Sequence, residues 1–352
     1  MNLSMDEIWQ QYGMDQLKEG LDTLFPGGQI SFEEIWNTVL QGDIPGAILK
    51  LFKGMFGEIG SQLGGLKNIL IWLLVMGIVS ALLSHFAEIF DRHQVADLSF
   101  YFMYLLLTAV LLIWFGKAAA ISEDAMEGIV DFIRLLIPTY LLMVGAAAGT
   151  VTVSASYHLM LLLIYGVEKL LIGAIIPLTY SYVMLAVVNG IWSEEKLGLL
   201  MDLLERAIKA VLKGCLGVVT GVSVFQAVIT PAVDSVKTSA LQKALSAIPG
   251  IGGAADGIVE LVMGSALIIK NSVGVVLLLL LLAACAAPLL YLFVSACLMK
   301  AAAAFMGIIS DKRITACTDK TGEGSMLLFK TTGTALLLFV IALSMIAAST
   351  KR

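Results

Sequence analysis

Charged side chains make up only 14% of this 352-residue sequence, against about 25% in a typical soluble domain. A water-soluble chain of this length could not cover its exterior with so few, so a soluble enzyme or cytosolic binding module is excluded. Histidine occurs three times (His85, His93, His158), widely spaced and with no H-E-x-x-H helix pair. The four cysteines (Cys215, Cys285, Cys297, Cys317) are scattered without a C-x-x-C pair, and three sit in or beside apolar runs, where cysteine acts as a small hydrophobe. Neither a zinc site nor a disulfide framework is expected. The net charge of −5 leaves no basic footprint for nucleic acid. The sequence also lacks a serine–histidine pair, an aspartate dyad and a Gly-x-Gly-Asp segment of the kind intramembrane proteases use. No catalytic residue and no cofactor is expected.

What the chain has instead is apolar surface: 59% of its residues are hydrophobic and its mean hydropathy is +0.93. A bilayer core of roughly 30 Å takes about 20 apolar residues of helix to cross. Candidate crossings fall at 69–89, 99–116, 133–153, 214–232, 254–299 (two helices meeting near Lys270-Asn271, the second carrying Pro288) and 326–348. The run 156–192, interrupted by Glu168-Lys169 and Pro177, suits a broken helix or one short and one full crossing. These spans predict an all-α, polytopic membrane protein with seven or eight transmembrane helices, some broken or re-entrant.

Residues 1–65 differ from the rest: acidic residues outnumber basic ones and apolar residues recur at helical spacing. Ser31 and Glu34 form a capping box, and Asp43 with Pro45 reads as the N-cap and first turn of a further helix. This region is expected to be amphipathic helix at or outside the membrane, with 66–352 forming the transmembrane domain. Asp6 and Glu7 stand where a secretory signal would be basic, so none is expected at this start. Within the membrane domain, 194–213 reads as an interfacial helix capped by Ser193. Its stripe of Leu197, Leu200, Met201, Leu204, Ile208 and Val211 opposes Asp202, Glu205, Arg206, Lys209 and Lys213, with Asp202–Arg206 and Glu205–Lys209 at the favourable i,i+4 order. A helix leaning on its own neighbours would show the same pattern. Lys300, Lys312, Arg313, Lys320 and Lys330 suggest a cytoplasmic loop before the last helix, and Glu123, Asp124 and Glu127 an external one. That places the N-terminal region outside, although Lys50, Lys53 and Lys67 argue the other way.

The stretch "IPGIGGAADGIVELVMGSALIIKNSVG" (248–274) matches the spacing of a dinucleotide-binding loop at Gly250, Gly252 and Ala255. A helical pattern, not a strand, precedes it, Pro249 breaks that pattern, and position 270 is lysine where an acid is required. We read it as a hinge at which the chain re-enters the bilayer. The pairs Gly145/Gly149, Gly217/Gly221 and Gly253/Gly257 have the G-x-x-x-G spacing that lets helices pack closely. Glu168, Lys169, Glu260 and Lys270 are ionisable at membrane depth and so are functional candidates; alternatively each marks a helix end and snorkels to the headgroups.

The order of these features resembles the stage III sporulation protein AE family of endospore-forming bacteria. The resemblance is carried by 248–274, by "APLLYLFVSACLMKAAAAFMGIISDKRI" (287–314), by "IIPLTYSYVMLAVVNGIWSEEKLGLL" (175–200) and by "TTGTALLLFVIALSMIA" (331–347). It implies a subunit of a secretion-like channel complex in the mother-cell membrane around the forespore, sustaining late forespore gene expression. The implied partners are other membrane and ring-forming subunits and, indirectly, a cytoplasmic ATPase. Family members usually begin with a signal-peptide-like segment, so a trimmed or differently annotated start is expected here. The family supplies no catalytic residues. From the residues alone, a stand-alone secondary transporter for a small solute is the alternative.

Overall fold

The computed structural model describes residues 70–82, 93–148, 162–192, 196–245 and 252–349, with scattered positions from 38 to 68. Side chains are described chiefly at 70–82, 100–132, 162–192, 196–222 and 281–341. The capping box at Ser31 and most of the N-terminal region lie outside these residues. Asp43 lies inside them and caps as expected: its Oδ1 accepts the Gly46 N–H at 2.9 Å, and its carbonyl takes the first helical bond, from Ala47.

Six helices carry the membrane domain, with no strand among the described residues. They are α1 (Leu70–Leu82), α2 (His93–Ala148), α3 (Leu162–Asn189), α4 (Gly198–Leu245), α5 (Gly252–Ile309) and α6 (Lys312–Ser349). Four described segments are long and apolar enough to cross a membrane: Phe100–Phe132, Leu162–Asn189, Leu281–Ile308 and Lys312–Ile341. The chain is an all-helical membrane protein.

Several expected boundaries are not where the sequence suggested. The external loop between 99–116 and 133–153 is helix, because α2 runs unbroken through it. Its acids fall on one exposed face, Glu123, Asp124 and Glu127, while Ser122, Met126 and Ile129 bury the opposite one. The amphipathic period keeps the helix going where a count of charges suggested a loop. Similarly, the interfacial helix 194–213 and the span 214–232 are one element, α4, and α5 passes through Lys270-Asn271 without a break. The loop before the last helix shrinks to Ser310 and Asp311. There Asp311 caps α6 by accepting the Arg313 N–H at 2.8 Å.

Within the interrupted run, Leu162–Asn189 is a single helix containing one π-helical turn, Leu171–Ile175. Proline at 177 has no N–H for the Gly173 carbonyl, and its ring would crowd that carbonyl in a regular α-turn. Widening the turn relieves the conflict: Ile176 N–H donates to Leu171 O, five residues back. Between α3 and α4, Asn189 Oδ1 accepts the Leu197 N–H at 2.8 Å, the role expected of Ser193, which lies outside the described residues.

Helix α6 is the axis of the fold. It packs against α2, α3, α4 and α5, and 61% of its apolar window is buried against 39–44% in the other spans. Its small polar residues make this possible. Thr318, Thr321, Ser325 and Thr331 bond back to carbonyls four residues earlier, so they enter the interior satisfied. Ser122 of α2 and Thr332 of α6 share a buried hydrogen bond of 2.7 Å, and Phe132 meets Phe339 edge-on at 5.8 Å. Helix α1 docks by Leu73, Met76 and Ser80 and turns Trp72, Ile78 and Leu82 outward. In α4, Met201, Ile208, Leu212, Cys215 and Val219 form one buried stripe facing α3 and α6, so the expected apolar face leans on its own neighbours.

Hydrogen bonds between membrane helices contribute about 0.6 kcal/mol on average in double-mutant cycles. Ser122→Ala and Thr332→Ala, tested singly and together by unfolding in detergent, should show a coupling of that order. Strictly additive effects would mean that the pair only fills space.

Candidate functional site

The densest polar cluster of the described residues sits where α4, α5 and α6 meet, and Glu323 is its hub. Lys300 of α5 reaches it at 2.7 Å, Lys209 of α4 at 3.6 Å and Lys330, two turns along α6, at 3.7 Å. Lys300 also faces Asp319 at 3.6 Å, Lys320 faces Asp202 at 3.8 Å, and Lys209 pairs with Glu205 within α4. The last is the pair that the i,i+4 spacing predicted. Asp202, expected to face Arg206, is engaged by Lys320 of the neighbouring helix.

Why an acid can sit here follows from its neighbours in sequence, Gly322 and Gly324. A Cβ on Gly322 would lie 3.1 Å from both Met299 Cβ and Lys300 Cγ. One on Gly324 would lie 2.4 Å from Val183 Cγ2 and 3.2 Å from Phe115 Cε2. The helix is therefore at its narrowest on either side of Glu323, so α5 closes in from one side and α2 and α3 from the other. Tyr182 of α3 is fully buried, its hydroxyl has no hydrogen-bond partner among the described residues, and it feels the charges of Glu205, Glu323, Asp319 and Asp202. From the tip at Ser310-Asp311, Lys300 and Glu323 stand about 15 and 18 Å along their helices at 1.5 Å per residue. Such an arrangement can lock three helices together; among the described residues it contains no nucleophile–base pair.

The residues singled out from the sequence are not assembled into one site. Glu168 is fully buried in α3, one turn before the π-helical segment, whereas the adjacent Lys169 is exposed. Glu260 and Lys270 both lie on α5, with side chains outside the described set. Gly217 and Gly221 lie on an exposed face of α4 where an added Cβ would meet nothing within 4 Å, so they are not packed against another of the described residues. Gly145 continues α2, and Gly252, Gly253 and Gly257 open α5; Gly149, Pro249 and Gly250 lie outside the described residues. Pro177 sits just after the π turn, and Pro288 is accommodated inside α5. No group of three or more metal-ligating side chains occurs among the described residues, and Cys215, Cys285 and Cys317 are buried free thiols.

Sequence reasoning missed the Glu323 hub. The signal that could have found it is "TGEGS" (321–325), an acid between two glycines inside a helix apolar enough to cross a membrane.

The family model of stage III sporulation protein AE matches residues 30–350. Stage III sporulation protein AE of Bacillus subtilis (strain 168) is 25% identical over 299 residues, covering 84% of this chain and 73% of that protein. No solved structure matches the chain. A match spanning all six helices settles the assignment: this chain belongs to the stage III sporulation protein AE family.

Proposed function

We propose that this chain is a non-enzymatic membrane subunit of a secretion-like complex linking mother cell and forespore, required for late forespore gene expression. The observation that carries this reading is the family match over residues 30–350, to a family of sporulation proteins and not of known enzymes. The partners we assign are other membrane and ring-forming subunits and, indirectly, a cytoplasmic ATPase. The surface supports a subunit role. Large apolar side chains such as Phe102, Ile113 and Leu337 face outward for lipid or partner helices, and the face of α4 bearing Gly217 and Gly221 is open to a further helix.

A functional fluorescent fusion, followed through growth and sporulation of the host, tests the proposal. Signal should appear only after asymmetric division and concentrate in the mother-cell membrane around the forespore. Uniform signal in growing cells would overturn it and put the solute-transporter reading first.

A further inference from the structure

Glu168 stands apart from every other described acid. Its side chain is fully buried in the span Leu162–Asn189, and neither carboxyl oxygen has a hydrogen-bond partner among the described residues. Lys169 cannot serve, because consecutive helical residues do not face each other and it is exposed. The charges on the packed elements do not reach it either: Glu123 and Lys117 of α2, Glu205 and Lys209 of α4, and Glu323 and Lys330 of α6 leave it untouched. The ionisable group that senses it is the buried Cys285 thiol of α5. An ionised carboxylate left unpaired in such surroundings costs several kcal/mol or more, whereas the uncharged acid carries no such penalty.

A second observation stands next to it in the helix. The π-helical turn Leu171–Ile175 starts three residues after Glu168 and exists because Pro177 cannot complete a regular turn. Single π turns of this kind occur frequently at functional sites, and this one places Glu168 beside a widened stretch of backbone.

From this pairing of an orphaned buried acid with an adjoining π turn we propose that Glu168 is a proton-binding site, occupied as the carboxylic acid in the described packing. The ligand is a proton exchanged with water. This goes beyond the subunit role proposed above and does not depend on it.

Carbodiimide chemistry tests the proposal. N,N′-dicyclohexylcarbodiimide takes up the proton of a carboxylic acid while the carboxylate oxygen adds to its central carbon, and the adduct rearranges to a stable N-acylurea. The full-length chain in phosphatidylethanolamine/phosphatidylglycerol vesicles would be treated with this apolar reagent, and in parallel with a water-soluble carbodiimide, over a range of pH. Peptide mass spectrometry would read the modified residues. Glu168 should react with the apolar reagent alone, with a yield falling about tenfold per pH unit once the acid ionises. Glu323, held by three lysines, should not react with it, and Glu168→Gln should abolish the adduct. No adduct on Glu168 at any pH, equal labelling by the water-soluble reagent, or a yield indifferent to pH would each overturn the proposal. All three are read on the wild-type chain, whatever the behaviour of the variant, and none bears on where in the cell the protein acts.

Discussion

Glu323→Ala should lower the unfolding free energy of the purified protein in detergent by about 2–3 kcal/mol. Breaking a fully buried ion pair by removing one partner costs roughly 3–5 kcal/mol, because the remaining charge is left uncompensated. Here the glutamate side chain is only 18% exposed but its lysines are 36–40% exposed, so the stranded ammonium groups recover part of their hydration and the lower figure follows. Lys300→Ala should cost less, since Glu323 keeps Lys209 and Lys330. The double variant should be less destabilised than the two single effects added together, because each removes a charge the other leaves unbalanced. Additive effects, or a wild-type melt for Glu323→Ala, would show that the network contributes nothing to holding α4, α5 and α6 together.

Substitution of the glycine one residue on should be at least as damaging, for a steric reason. Gly324→Val places a branched side chain where a single Cβ already comes within 2.4 Å of Val183 Cγ2 and 3.2 Å of Phe115 Cε2. Val183 and Phe115 are themselves fully buried, so neither can swing aside, and α6 must move off α2 and α3. Overpacking of this kind costs about 1–3 kcal/mol and sometimes more; with two rigid neighbours we expect about 3 kcal/mol. The control is Gly217→Ala on the open face of α4, where a Cβ meets nothing. There helix propensity acts alone and favours alanine by up to about 1 kcal/mol. Thermal unfolding of the two variants in the same detergent should therefore shift in opposite directions. If Gly324→Val melts with the wild type, the waist of α6 is not a packing constraint.

What could be read from the sequence was what depends on near neighbours along the chain. Composition gave the membrane class. The Asp43 cap, the Met201–Ile208 stripe and the Glu205–Lys209 pair each involve residues within about two turns, and the structure has all three. The errors came from treating charge as a local signal. Glu123, Asp124 and Glu127 looked like a loop because three acids interrupt an apolar run, yet they occupy one face of a continuous helix. Lys300, Lys320 and Lys330 were read only as markers of membrane side, and the structure adds that each lies on a helix and is engaged by a carboxylate. Their partners are brought together by helix packing, and hydropathy averaged along a window has no access to that. Glu168 was identified as a candidate, but its lack of a partner is a tertiary fact that no spacing encodes.

The Glu323 network also determines how the protein responds to an electric field. Its four ammonium groups, on Lys209, Lys300, Lys320 and Lys330, are matched by four carboxylates, on Asp202, Glu205, Asp319 and Glu323. A membrane potential does about 2.3 kcal/mol of work per elementary charge per 100 mV on a charge that crosses it fully. On a neutral cluster that moves as a unit it does none. Within its own eight groups the cluster therefore offers that voltage no net charge to act on, and neutralising Glu323 alone would leave it with one positive charge in excess.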